Sequence, residues 1–140
     1  MTADCMPVLI CDTSGQQVAA VHAGWRGLAA GIVEQAIAKF RADPDEILVW
    51  AGPSIGPNNF EVGIEVQREL GGSADCYLPH EDSSKVFANL YQLLAERLNS
   101  LGVASYTHSS ACTFDDSEKY FSYRRDGQCG RMASLIWVEQ

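Results

Sequence analysis

No two cysteines in this sequence stand at the CxxC spacing of a redox or zinc motif. Cys5, Cys11, Cys76, Cys112 and Cys129 are an odd set that leaves one thiol over in any disulfide scheme. No leader-like stretch precedes Thr2-Ala3-Asp4, so the expectation is a cytoplasmic protein with free thiols. Long apolar runs are missing as well. None approaches the ~18 residues of a helical membrane span, which argues against a membrane partner. Positive charge is scarce: 10 Lys and Arg against 18 Asp and Glu give a net charge of -8. Arg124-Arg125, with Arg131 nearby, is the one dense basic cluster, too little for nucleic-acid binding. With no internal repeat and no linker, the 140 residues read as a single domain, 1–140. A composition 46% hydrophobic and 20% charged is that of an ordinary globular chain.

What is present begins with two apolar runs, residues 7–11 and 18–21, split by the turn-like Asp12-Thr13-Ser14-Gly15. They predict a hairpin or two neighbouring strands. An amphipathic helix is expected over 28–42 from Leu28, Ile32, Ala36 and Phe40. Residues 47–51 read as a buried strand that runs into the rigid loop Gly52-Pro53-Ser54-Ile55-Gly56-Pro57, a shaped pocket wall. Beyond it lie a short extended piece at 60–63, a helix over 64–70 and a loop over 73–82. A long helix over 85–100, capped by Ser83-Ser84, comes next. A strand at 103–107, a turn at 124–131 and a final buried strand at 132–138 complete the chain. Strands and helices mix without strict alternation, so the class expected is α+β with a mixed, helix-covered sheet.

The chemistry concentrates at Cys5 and His22. In an antiparallel pair the start of one strand lies beside the end of the next, so thiol and imidazole meet at one sheet end. Such a pair suits zinc or copper, and equally a Cys–His nucleophile; its bland reading is a buried small hydrophobe beside a core histidine. Asp4 reads as an orienting base or, more simply, a turn residue. In Gly24-Trp25-Arg26-Gly27, Arg26 offers a guanidinium for phosphate or carboxylate, against a plain structural turn with Trp25 in the core. Tyr120-Phe121-Ser122-Tyr123-Arg124-Arg125 concentrates aromatic and cationic groups suited to a base and a phosphate, against a solvated turn. The spacings Cys76/His80 and His108/Cys112 are of metal-ligand type, but neither pair falls in an evident helix.

Four stretches carry a resemblance: Thr-Ala-Asp-Cys-Met-Pro-Val-Leu (2–9), Ala-Ala-Val-His-Ala-Gly-Trp-Arg-Gly (19–27), Gly-Pro-Ser-Ile-Gly-Pro with Phe-Glu-Val-Gly (52–63), and Phe-Ser-Tyr-Arg-Arg with Gly-Arg-Met-Ala-Ser-Leu-Ile-Trp (121–137). In that order they resemble the bacterial laccase-like polyphenol oxidase family, which is associated with purine nucleoside phosphorylase and adenosine deaminase activity and linked to peptidoglycan editing. The resemblance implies a layered α/β sandwich and a metal, zinc or else copper, held by two histidines and a cysteine. Cys5 and His22 match the cysteine and the second histidine. The first histidine belongs to an N-terminal portion, so the chain is expected to be an N-terminally truncated member, the larger C-terminal part of the family fold.

The function expected from the resemblance is metal-dependent phosphorolysis of adenosine, inosine or methylthioadenosine, with adenosine deaminase and polyphenol oxidase side activities. Cys5 and His22 are the expected metal ligands, Cys5, His22 and Arg26 the catalytic set, and Arg124 and Arg125 the substrate-binding residues. Nucleoside and phosphate are the expected small-molecule partners. Truncation is expected to weaken the site and to leave sheet edges that drive homo-oligomerisation. Two rival readings stand beside this one: a cysteine hydrolase or amidase acting in peptidoglycan editing, and an inactive nucleoside-binding module.

Overall fold

The computed structural model describes residues 1–139. Strands β1 (Met6–Asp12) and β2 (Val18–Ala23) pair antiparallel, with Met6 opposite Ala23 and Cys11 opposite Val18. The Asp12 carboxylate closes the far end of this hairpin by accepting from the Gln16 and Gln17 amides, each at 2.9 Å. On its other side β1 pairs antiparallel with β3 (Ile47–Ala51), which pairs in parallel with β7 (Ser105–His108). The order of this mixed sheet is β2-β1-β3-β7. A smaller antiparallel sheet joins β4 (Glu61–Gly63), β6 (Lys85–Ala88) and β5 (Tyr77–Pro79) in the order β4-β6-β5. The helices among the described residues are α1 (Trp25–Ala29), α2 (Ile32–Ile37), α3 (Ile64–Leu70), α4 (Leu90–Ser100) and α5 (Tyr123–Asp126). The chain is α+β, as its mixture of strand and helix signals predicts.

Alternation along the strands decides where the core sits. Val8, Ile10, Val21, Ile47 and Val49 are buried in one cluster with Leu28 of α1, Val33 and Ile37 of α2, and Leu94 and Leu98 of α4. The residues between them face the other way: Leu48 and Trp50 are 39% and 38% exposed. The apolar run at 47–51 is thus buried on one side only, and helices cover one face of the sheet.

Several boundaries differ from the sequence expectation, each for a physical reason. The helix expected over 28–42 starts earlier, at Trp25, and breaks at Gly31, whose φ of 74° is left-handed. The helix expected over 85–100 begins only at Leu90, because Lys85–Ala88 is the central strand of the small sheet and pairs on both sides. Asn89, not Ser83 or Ser84, caps it, accepting from the Gln92 amide at 3.1 Å. The loop expected over 73–82 contains β5, and α5 starts the segment read as a turn. Residues 132–138 form no strand: apart from a bridge between Thr2 and Met132 they have no strand partner among the described residues, and Leu135 and Trp137 are 74% and 73% exposed. They cross the open sheet face, where Ile136 lies by Trp50 and Tyr106, instead of extending an edge.

Candidate active site

The site is built around the residue before β1. Asp4 takes a φ of 85°, unusual for a residue with a side chain, and this bend is held from three directions. Its carboxylate accepts from the Thr113 hydroxyl at 2.6 Å and from the Arg124 amide at 2.7 Å, while its carbonyl accepts from the Ile55 amide at 3.0 Å. Asp4 is therefore the hub of a turn, and one residue fixes three distant segments, two through its carboxylate and one through its carbonyl.

Cys5 follows immediately, and the hairpin register sets Pro7 opposite His22. Both side chains reach over Gly24. A Cβ placed on that glycine would lie 2.9 Å from Cys5 Sγ and 3.8 Å from His22 Nε2, so the thiol and the imidazole occupy the space a larger residue would need. Burial pushes the Cys5 thiol above its ordinary pKa and the Asp4 charge adds to this, partly offset by Arg131.

The pair opens onto a cavity of about 340 Å³ whose walls include Ile55, Phe60, Tyr123, Arg124 and Arg131. Arg124 lies over the Phe60 ring at 5.6 Å and donates one Nη1 bond to the Glu61 carbonyl at 3.1 Å. Arg131 stands over Tyr123 at 6.0 Å, with Nη1 donating to the Cys129 and Gly130 carbonyls, each at 2.9 Å. In both guanidinium groups every hydrogen bond among the described residues uses Nη1, which leaves the Nε/Nη2 edge for an oxyanion.

The other residues singled out in the sequence lie elsewhere. Arg26 packs over Trp25 at 4.3 Å and is not on the cavity wall. Arg125 is a structural clamp: its guanidinium donates to the Thr113, Phe114 and Tyr120 carbonyls at 2.8 to 3.0 Å and to Asp126. Arg131, noted in the sequence only as a neighbour of the basic cluster, takes the wall position instead. His80 has both ring nitrogens engaged, Nε2 with Glu61 and Nδ1 with the Asp82 amide, each at 2.9 Å, and Cys76 is buried. His108 and Cys112 share a different cavity. Among the described residues no three His, Cys, Asp or Glu side chains converge on a point suited to a metal ion. Cys5 and His22 fit a soft ion as a donor pair, sulfur and imidazole over a hollow kept open by glycine, and they amount to half of a tetrahedral zinc site.

The chain thus carries, on a mixed α+β fold, a thiol–imidazole pair at the mouth of an arginine-walled cavity. The chain belongs to the multi-copper polyphenol oxidoreductase laccase family, whose model matches residues 1–139. It is 47% identical to a purine nucleoside phosphorylase of Haemophilus influenzae over 99% of its own length and 59% of that protein. It is 46% identical to the purine nucleoside phosphorylase YfiH of Escherichia coli, over 99% of itself and 58% of the relative. A crystal structure from Neisseria meningitidis superposes with a TM-score of 0.91 at 43% identity, covering 100% of this chain and 59% of that one. YlmD of Geobacillus stearothermophilus follows with a TM-score of 0.83 at 28% identity, over 90% and 50%. The chain therefore spans a little over half the length of the relatives it matches.

Proposed function

We propose that the cavity at Cys5 and His22 serves the phosphorolysis of purine nucleosides such as adenosine, inosine or methylthioadenosine. One observation carries the reading: Cys5 Sγ and His22 Nε2 converge over Gly24 beside a cavity that also holds two arginines with free edges. The relatives named as purine nucleoside phosphorylases support it. Zinc, or else copper, held by Cys5 and His22 would supply Lewis acidity at the reacting end of the cavity.

The chain's own residues account for the rest. The free edges of Arg124 and Arg131 bind phosphate in bidentate fashion and hold its charge near the sugar. The exposed Tyr123 ring offers a face for the purine, and the buried Ile55 and Phe60 make that end of the cavity apolar. Asp4 holds Cys5 and the start of α5 in one frame, so the ligand pair and Arg124 keep a fixed separation. Arg26 and Arg125 have no part in this scheme. A cysteine hydrolase at the same pair is disfavoured, because partial burial raises the Cys5 thiol pKa and so opposes the nucleophilic thiolate. Five unbridged cysteines suit a reducing cytoplasm.

The test is phosphate-dependent release of hypoxanthine from inosine and adenine from adenosine, followed chromatographically with zinc supplied. Release that requires phosphate and falls at least tenfold in Cys5→Ala and Arg131→Met supports the reading. Release indifferent to phosphate, or unchanged in Cys5→Ala, overturns it.

A further inference from the structure

Behind the loop at 52–57 lies a second cavity of about 420 Å³, which shares no wall residue with the first. Ile55 faces one space and Gly56 the other, so the two are set back to back across a single peptide. We propose that this second cavity binds an uncharged, polyhydroxylated ring: a sugar unit, either free or as the ribose of a nucleoside.

The aromatic wall comes first. His108 stacks at 4.5 Å from Tyr91 and 5.6 Å from Tyr106. Both tyrosine hydroxyls are already committed, Tyr91 donating to the Gly52 carbonyl at 3.0 Å and Tyr106 to the Tyr91 carbonyl at 3.3 Å. Tyr91 is buried under the stack and pins it, while the half-buried Tyr106 and the exposed His108 offer ring faces, the kind of surface against which the C–H face of a sugar packs.

The polar wall decides the charge of the ligand. Asn58 and Gln92 line the cavity, and among the described residues their side-chain amides have no hydrogen-bond partner. A planar amide presents a donor beside an acceptor, the arrangement that matches neighbouring hydroxyls. No lysine or arginine lines the space, in contrast to the first cavity, so a phosphate would find no counter-charge there. The one carboxylate, Asp115, accepts from Asn59 Nδ2 at 2.9 Å through Oδ1, and its Oδ2 is an acceptor for a sugar hydroxyl. Ser110 belongs to the same wall. Its φ of 56° is costly for a residue with a Cβ, and the bend sets its hydroxyl 3.0 Å from His108 Nδ1.

The test uses the whole chain and nuclear magnetic resonance, with D-ribose, adenosine, adenine and ribose 5-phosphate as separate probes. Saturation transfer from the protein to ribose ring protons, with shifts at His108 and Tyr106, is the expected result. Asn58→Ala and Gln92→Ala should each weaken ribose binding read at His108 about fivefold, while Arg26→Ala, a residue on neither cavity wall, leaves it unchanged. Ribose and adenosine both acting at His108 identifies the shared sugar as the ligand; adenosine acting far more strongly than ribose, with adenine silent, points to a nucleoside source. Silence of both ribose and adenosine at His108 up to about 20 mM overturns the proposal. So does adenine matching adenosine at His108, or ribose 5-phosphate outcompeting ribose there.

Discussion

Asp4 and Thr113, 109 positions apart in sequence, are joined by a 2.6 Å hydrogen bond in which the threonine hydroxyl donates to a buried carboxylate. The same carboxylate accepts the Arg124 amide, so Asp4→Asn sets an amide N–H against one of two donors. The variant should lose about 1–3 kcal/mol in chemical denaturation. Asp4→Gly relieves the positive φ but removes both acceptors, and should be no more stable than Asp4→Asn. A denaturation midpoint equal to the parent's in both variants would refute the hub role.

Gly24→Ala places a methyl 2.9 Å from Cys5 Sγ, closer than such atoms approach, and must displace the thiol from its place over Gly24. The expected outcome is zinc affinity reduced about tenfold or more, comparable with the loss of a supporting group around a metal, with little change in melting temperature. Competition with a chromophoric chelator measures it. Undiminished affinity would show that the thiol and imidazole do not act on one ion.

Arg125 and Arg131 should part company under the same substitution. Arg125→Met strips three carbonyls of their donor and should lower the melting temperature while the folded protein still binds phosphate. Arg131→Met should do the reverse, with near-parental melting and phosphate affinity weakened about tenfold, as for loss of a charged hydrogen-bond partner. Calorimetric titration with inorganic phosphate, alongside thermal melts, separates them. Equal effects on both readouts would remove the distinction drawn between clamp and wall.

Alkaline pH should loosen the fold in a defined window. Burial, followed by the hydrogen bond and charge of Glu96, pushes the Cys76 thiol up to about 11 from its ordinary 9.0. Burial, followed by the Cys76 charge, raises Tyr77 to about 12 from 10.0. Between pH 9 and 11 the unfolded chain releases a thiol proton that the folded chain keeps, so stability falls as pH rises through that interval; Tyr77 extends the fall from 10 to 12. Melting temperatures recorded under reducing conditions should drop across this range, and Cys76→Ala should flatten the lower part of the curve. An unchanged slope in Cys76→Ala would exclude this thiol as a cause.

The open sheet face should drive self-association. Leu48 and Trp50 lie on it at 39% and 38% exposure, and Leu135 and Trp137 add exposed apolar surface in the segment that crosses it. Sedimentation should show a mass that rises with concentration, and Trp50→Lys should shift it toward monomer. A concentration-independent monomer would refute self-association.

Much of this arrangement is legible without coordinates. The hairpin follows from two short apolar runs and a four-residue turn, and its pairing alone sends Cys5 and His22 to the same end. The loop at 52–57 is readable as a wall because its prolines and glycines exclude helix. What resists reading is governed by distant partners. Val86 and Phe87 fit the helical spacing of Leu90, Leu93 and Leu94, yet strands on both sides claim them. The division of labour among the arginines is hidden for the same reason. Arg125 is turned inward by carbonyls at 113, 114 and 120, and Arg131 takes its place at the cavity through contacts that no local pattern encodes.

The bend held by Asp12 lies roughly 20 Å of strand away from the Gly24 hollow, yet it sets the phase of everything there. Side chains alternate along a ribbon, so one residue inserted into that bend would slip the pairing and swing the imidazole of His22 to the opposite surface while leaving Cys5 where it is. A remote surface curl with no chemistry of its own thus governs the alignment of the two donors, and a change in its length would disarm them as surely as deleting either one.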